Sequence, residues 1–162
     1  MKKARCSGGV IDHCLNVTRV ALRIAEALRN KGIKVDVNLV EVGALLHDIG
    51  RGQTHNLDHG AVGGQIAVKI GLPTEIVNII ERHVGAGLTM DEALRNGLPN
   101  RSFIPETLEE KIVCYADKLV EGDHEIDIEV TLDQYSQELG RDHPSIKRLQ
   151  TLHDEIIGLL TK

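Results

Sequence analysis

The residues best suited to do chemistry in this 162-residue chain are His13, the adjacent pair His47-Asp48 in "LLHDIGRG", and Asp117 in "CYADKL". Imidazole nitrogens and carboxylate oxygens are the donors that hold divalent metal ions. A protein nucleophile is less evident. Cys14 adjoins His13 and Cys114 lies near Asp117, but neither has a base partner, and both read as small core residues.

The helical spacing around these four residues turns each of them inward. His13 shares its phase with Val17, Val20 and Ile24, His47 follows Val40 and Gly43, and Asp117 lies on the face of Val113 and Val120. Taken singly, an inward histidine is commonly a hydrogen-bonded core residue, and an aspartate near a helix end a solvated one. Taken together, four polar groups on three apolar faces are costly, because each one buried without a partner costs roughly 2–7 kcal/mol. Asp48 adds a second cost, since a carboxylate in a last helical turn meets the negative end of the macrodipole. A bound divalent cation answers both. Neighbouring helical residues diverge by about 100°, so His47 and Asp48 must straddle the ion, which a frayed helix end before Gly50 allows.

Positioning such a site requires several helices, and the hydrophobic periodicity predicts an all-α chain, a single compact helical bundle over residues 1–162. The first helix is expected from Val10 to Asn30, where apolar residues recur at helical spacing and Gly32 follows as a stop. A second is expected from Val37 to Ile49, with Gly50 in the left-handed C-terminal position. "HGAVGGQIAVKIG" reads as a third helix, loosened at its start by Gly63 and Gly64, and "LPTEIVNIIERHV" as a fourth with Pro73 in its first turn. A short helix over Met90–Arg95 precedes the irregular "NGLPNRSFIPE", and further helices are expected over Glu106–Glu121, Thr131–Leu139 and Pro144–Leu160. The alternation in "IDIEVTL" would suit a short strand, but no partner strand is evident.

His13, His47-Asp48 and Asp117 have the order and spacing of an H…HD…D signature. On these residues the chain resembles the HD-domain superfamily of metal-dependent phosphohydrolases, in the variant where HD is followed by Ile-Gly and a basic residue. "YADKLVEGD" is similar to the segment around the closing aspartate of bacterial di-iron HD hydrolases that split diadenosine tetraphosphate. The resemblance runs from about His13 to Asp123. It implies a helical bundle of the HD type, with a metal-site core over residues 10–123 and C-terminal helices over residues 129–160. It further implies a pair of ions: His13, His47, Asp48 and Asp117 would hold one, His59 and His83 the second, with Asp48 bridging both. Without the resemblance, His83 reads as a helix C-terminal cation and His59 as an ordinary loop residue. A set of imidazoles and carboxylates with no thiolate suits Fe, Mn, Co, Ni or Zn.

The activity so implied is hydrolysis of a phosphate ester or anhydride of a nucleotide or similar small molecule, by a water that two ions share and deprotonate near neutral pH. Asp48, Arg51 and Lys118 are the catalytic candidates, and Arg51, Lys118 and Arg101 the candidates to meet substrate phosphate. His55 and Asp58 are candidates to orient ligands from behind. His124, His143 and His153 read as surface residues. Two other classes use the same pattern on this fold, a mixed-valent di-iron oxygenase and a non-catalytic nucleotide-binding sensor.

Bulk properties narrow the partners. A formal charge of −5 argues against a nucleic-acid surface but not against a small phosphorylated substrate. The three scattered cysteines fit reduced thiols. No apolar run reaches membrane-spanning length, and "MKKARCSGG" lacks the apolar stretch of a signal peptide, so a cytoplasmic location is expected. Association with a second copy is left open. With Phe103, Tyr115 and Tyr135 as the whole aromatic complement, the core must be aliphatic.

Overall fold

The computed structural model describes residues 1–161. Its helices are α1 (Gly8–Asn30), α2 (Val37–Leu46), α3 (His59–Lys69), α4 (Thr74–Arg82), α5 (Met90–Arg95), α6 (Leu108–Asp117), α7 (Ile128–Leu139) and α8 (Pro144–Thr161). A two-stranded antiparallel hairpin, β1 (Val120–Glu121) with β2 (His124–Glu125), pairs Val120 with Glu125 and Glu121 with His124. The chain is therefore all-α apart from this hairpin, and no helix among the described residues is long and apolar enough to cross a membrane.

Local chemistry sets the helix ends. The Ser7, Asp36 and Thr107 side chains accept from the amides of Val10 (3.3 Å), Leu39 (3.0 Å) and Glu110 (3.2 Å), capping α1, α2 and α6. Thr89 and Glu92 form a reciprocal capping box at α5. Gly32 follows the first helix as the stop the sequence predicts, and it does so in the left-handed region at φ 81°. The apolar faces of α1, α2, α6 and α8 then close on one another through Leu28, Val40, Ile112, Leu149 and Ile156, all fully buried. Each such residue contributes about 1.5–3 kcal/mol of burial.

Several expectations need correction. The second helix ends at Leu46, three residues earlier than Ile49, and a 3-10 turn over Ile49–Gly52 follows. Gly50 does not adopt a left-handed conformation. It is required for another reason: a Cβ there would lie 1.9 Å from the His59 carbonyl oxygen. Gly63 and Gly64 do not loosen α3 but let it approach α4, since a Cβ on Gly64 would meet the Glu81 carboxylate at 2.3 Å. Pro73 precedes the fourth helix as its N-cap. The sixth helix is shorter than Glu106–Glu121, because its continuation turns at Gly122 (φ 61°) into the hairpin. "IDIEVTL" opens α7 rather than forming a strand; the strand pair lies just before it, around a Gly-Asp turn that periodicity alone does not reveal.

Candidate metal centre

Five helices and one inter-helix turn deliver the polar side chains to one point. His13 comes from the first turns of α1, His47 caps the C-terminus of α2, Asp48 opens the 3-10 turn, His59 begins α3, His83 caps α4 and Asp117 ends α6. All six residues singled out in the sequence are brought together. His13 Nε2 lies 2.9 Å from Asp117 Oδ1, and His47 Nε2 lies 3.5 Å from the same oxygen and 3.8 Å from Asp48 Oδ2. His59 and His83 place their Nε2 atoms 3.3 and 3.4 Å from Asp48 Oδ1. Two overlapping sets, His13–His47–Asp117 and His47–Asp48–His83, each hold their ligand atoms within 4.8 Å of one another.

The backbone fixes how the rings present themselves. The Nδ1 atoms of His47, His59 and His83 sit 2.7 Å from the carbonyl oxygens of Ala44, Asn56 and Ile80. A carbonyl only accepts, so each Nδ1 carries the proton and each Nε2 presents a lone pair inward. Buried His47 Nε2 has no hydrogen-bond partner. The Nε2 atoms of His59 and His83 face each other at 3.1 Å. Two lone pairs at that separation repel unless a cation lies against them, and the donor set is of the kind that divalent transition metals take. The residues therefore fit a metal centre.

The electrostatics agree. Burial, then the neighbouring His83 and Arg51 charges, pushes the His59 imidazole down to about 4, and burial likewise lowers that of His83 despite Asp48. Both stay neutral and ligand-competent near pH 7. Burial opposes the charged forms of Asp48 and Asp117, yet both are held well below the usual carboxylate range, Asp48 by His83 and His47, and Asp117 by Lys118, His13 and His47. His47 differs: burial works against its charged form, but Asp117 and Asp48 raise it well above its ordinary value, so a metal ion would have to displace a proton from its Nε2.

The other candidates divide. Arg51 Nε reaches both Asp48 oxygens at 2.9 Å, and Lys118 Nζ reaches Asp117 Oδ2 at 2.5 Å, so each basic group adjoins one carboxylate. Both line a cavity of about 480 Å³ that also exposes His59, His83 and Asp117. Arg101 lies elsewhere, paired with Glu81 Oε1 at 2.6 Å and stacked over Phe103, and it is not among the residues lining that cavity. His55 lines the cavity, whereas Asp58 accepts from the Thr54 hydroxyl at 2.8 Å. Backbone carbonyls orient the imidazoles. Cys114, buried behind His83, has its thiol pushed up to about 12 by burial, which removes it as a nucleophile.

Sequence reasoning missed one wall. Tyr135, Glu138 and Leu139 of α7, and His143 and Ser145 at the start of α8, line the same cavity. Their spacing carries no local signature; only the return of the C-terminal helices places them there. His153 is not a free surface residue, since its Nδ1 lies 2.7 Å from the Tyr115 hydroxyl. His124 is exposed in the hairpin.

Comparison with known proteins adds to this geometry. The HD domain family model matches residues 10–122. An uncharacterized protein of Methanocaldococcus jannaschii is 48% identical over 158 residues, 98% of this chain and 94% of that protein. The tRNA (cytidine(56)-2'-O)-methyltransferase of Picrophilus torridus is 41% identical over 98% of this chain, which spans only 45% of it. The dihydroneopterin 2',3'-cyclic phosphate phosphodiesterase of M. jannaschii is 31% identical over 70% of this chain and 47% of its own length. The chain thus spans about half the length of these last two relatives. Among solved structures, the HD domain of the L. monocytogenes phosphodiesterase PgpH, in complex with cyclic-di-AMP, shares the fold with a TM-score of 0.56 at 19% identity, over 96% of this chain and 91% of that one. With the matched residues running through His13, His47, Asp48, His59, His83 and Asp117, this chain belongs to the HD domain family.

Proposed function

We propose that the protein is a metal-dependent phosphohydrolase that cleaves a phosphate ester or anhydride of a nucleotide or similar small molecule. The observation that carries this reading is the pair of facing Nε2 lone pairs on His59 and His83, set against Asp48 beside the His13–His47–Asp117 group. The arrangement suits two ions, one held by His13, His47, Asp48 and Asp117, the other by His59, His83 and Asp48. When bound, such ions supply Lewis acidity and a water acidified to near neutrality.

The chain's own residues supply the rest. The carbonyls of Ala44, Asn56 and Ile80 hold the imidazoles in the ligand tautomer, and Asp48, with an oxygen towards each group, joins the two halves. Arg51 and Lys118 border the cavity and offer positive charge to the non-reacting oxygens of a phosphate. A relative named for cleaving a 2',3'-cyclic phosphate supports a phosphodiester substrate. The methyltransferase name belongs to proteins more than twice the length matched here, and a cluster of imidazoles and carboxylates is metal-ligand chemistry.

The test is metal analysis of the purified protein alongside a hydrolysis screen over mono-, di- and cyclic nucleotides with Mn or Co. Turnover with released phosphate or phosphomonoester, independent of oxygen, is the expected result. Oxygen uptake with an iron-loaded protein would instead favour the oxygenase class. Tight nucleotide binding without turnover would favour a sensor.

A further inference from the structure

We propose that the cavity wall supplied by α7 and the start of α8 reads the substrate's heterocyclic base. His143 acts as donor and Glu138 as acceptor, selecting a 2-amino-oxo heterocycle such as guanine or a pterin. The inference rests on the phosphohydrolase reading and adds to it the substrate class. Both residues line the cavity with His59, Asp117 and Lys118, yet both lie beyond residue 122, where the family match ends.

The tautomer of His143 sets its role. Its Nδ1 accepts from the Ser145 backbone amide at 3.3 Å. An amide N–H can only donate, so the neutral ring carries its proton on Nε2. This is the reverse of His47, His59 and His83, whose Nδ1 atoms donate to carbonyls and whose Nε2 atoms offer lone pairs. The cavity therefore holds imidazoles arranged to bind cations and a further imidazole arranged to donate. In this form His143 is neither a metal ligand nor a general acid, because acid catalysis would need a proton on Nδ1 against the Ser145 amide. What Nε2 offers the cavity is an N–H donor, and its complement is a carbonyl oxygen or a ring nitrogen.

Glu138 supplies the other half. Glu138 is solvent-exposed at the cavity rim, and among the described residues no hydrogen bond or ion pair engages its carboxylate. An ionised carboxylate only accepts, and its two oxygens match two parallel N–H groups. A 2-amino-oxo heterocycle presents that pair, a ring N–H beside an amino group, next to a carbonyl that calls for a donor. Adenine offers a carboxylate its amino group alone and turns an acceptor nitrogen towards it. Leu57, Leu88 and Leu139 line the same cavity and suit a planar ring, and about 480 Å³ accommodates a nucleotide-sized ligand.

The experiment uses the metal-loaded full chain. It measures calorimetric binding of 3'-GMP and 3'-AMP, and hydrolysis of 2',3'-cyclic GMP, 2',3'-cyclic AMP and bis(4-nitrophenyl) phosphate. Wild type is expected to prefer GMP by roughly tenfold or more, and Glu138→Gln and His143→Ala each to erase about tenfold of that preference. Metal content and turnover of bis(4-nitrophenyl) phosphate should be unchanged in both variants. His143→Gln, whose amide N–H reaches the Nε2 position, should keep most of the preference, and His143→Phe should not. A fold defect would instead lower metal content and bis(4-nitrophenyl) phosphate turnover, so the ratio is read only in variants that keep both. Equal affinity for the two nucleotides in wild type, or a ratio that these substitutions leave unmoved, overturns the inference, while hydrolysis of bis(4-nitrophenyl) phosphate keeps the hydrolase reading standing. A guanine preference in binding without any hydrolysis would support the base-reading wall and overturn the hydrolase reading alone.

Discussion

The Nε2 atoms of His59 and His83 lie 3.1 Å apart although each ring already donates from Nδ1 to a backbone carbonyl, Asn56 for one and Ile80 for the other. Neither ring has a proton to offer its neighbour near pH 7. The contact makes sense as half of a coordination shell whose other half is Asp48 Oδ1, 3.3 and 3.4 Å away.

From this contact follows an expected stoichiometry. Replacing His59 or His83 by alanine should lower bound metal from two ions per chain towards one, as read by elemental analysis. Unchanged metal content would count against a second ion at this pair. Asp48→Ala, which takes a ligand from both sets, should abolish essentially all bound metal and turnover, and a variant with near-normal turnover would show the bridging assignment to be wrong.

Arg51 compensates the buried Asp48 charge when no ion does so, through Nε at 2.9 Å from both carboxylate oxygens. Arg51→Ala should therefore destabilise chelator-treated protein by about 1–3 kcal/mol, the cost of leaving a buried group unpaired. Saturating Mn should shrink that loss, because the ion takes over the compensating charge. Thermal melts of both forms read the difference. An equal loss with and without metal would mean that Arg51 stabilises the fold by some other contact.

Gly50 carries the closest backbone approach behind the site. A Cβ there meets the His59 carbonyl at 1.9 Å and the Gly63 amide nitrogen at 2.7 Å, and backbone cannot swing aside as a side chain can. Gly50→Ala should cost about 3 kcal/mol or more, and should reduce metal affinity as well, since the 3-10 turn and α3 would be pushed apart. A chemical-denaturation midpoint within error of wild type would refute the close approach.

Glu92 ties the start of α5 to α8 through Arg148 at 2.9 Å and to the Thr89 amide at 2.8 Å. Burial raises its carboxyl, but the Thr89 amide and Arg148 outweigh it, and the group titrates below the ordinary 4.5. A depressed carboxylate contributes stability that is present above its unfolded value and is lost as pH falls through the folded one. Stability should therefore decline below about pH 4.5, and Glu92→Gln should flatten that part of the profile. Parallel pH profiles for wild type and variant would exclude this contribution.

Much of the architecture is legible in the chain itself. Helical spacing of Val17, Ala21 and Leu28, the caps at Ser7 and Asp36, and the stop at Gly32 are local signals, and local hydrogen bonds and apolar periodicity act over a few residues wherever the segment sits. The inward phase of His13, His47 and Asp117 belongs to the same class, because burying a charge is costly enough for the sequence to advertise its exceptions. The tertiary structure alone decided the rest. Gly50 looks like a helix terminator until α3 is seen packed against it. Arg101 looks like a phosphate contact until Glu81 and Phe103 take its guanidinium. His143 looks like a surface residue until the return of α8 brings it to the cavity rim and the Ser145 amide fixes its proton. These are contacts between segments distant along the chain or proton placements set by a single backbone amide, and no periodicity encodes them.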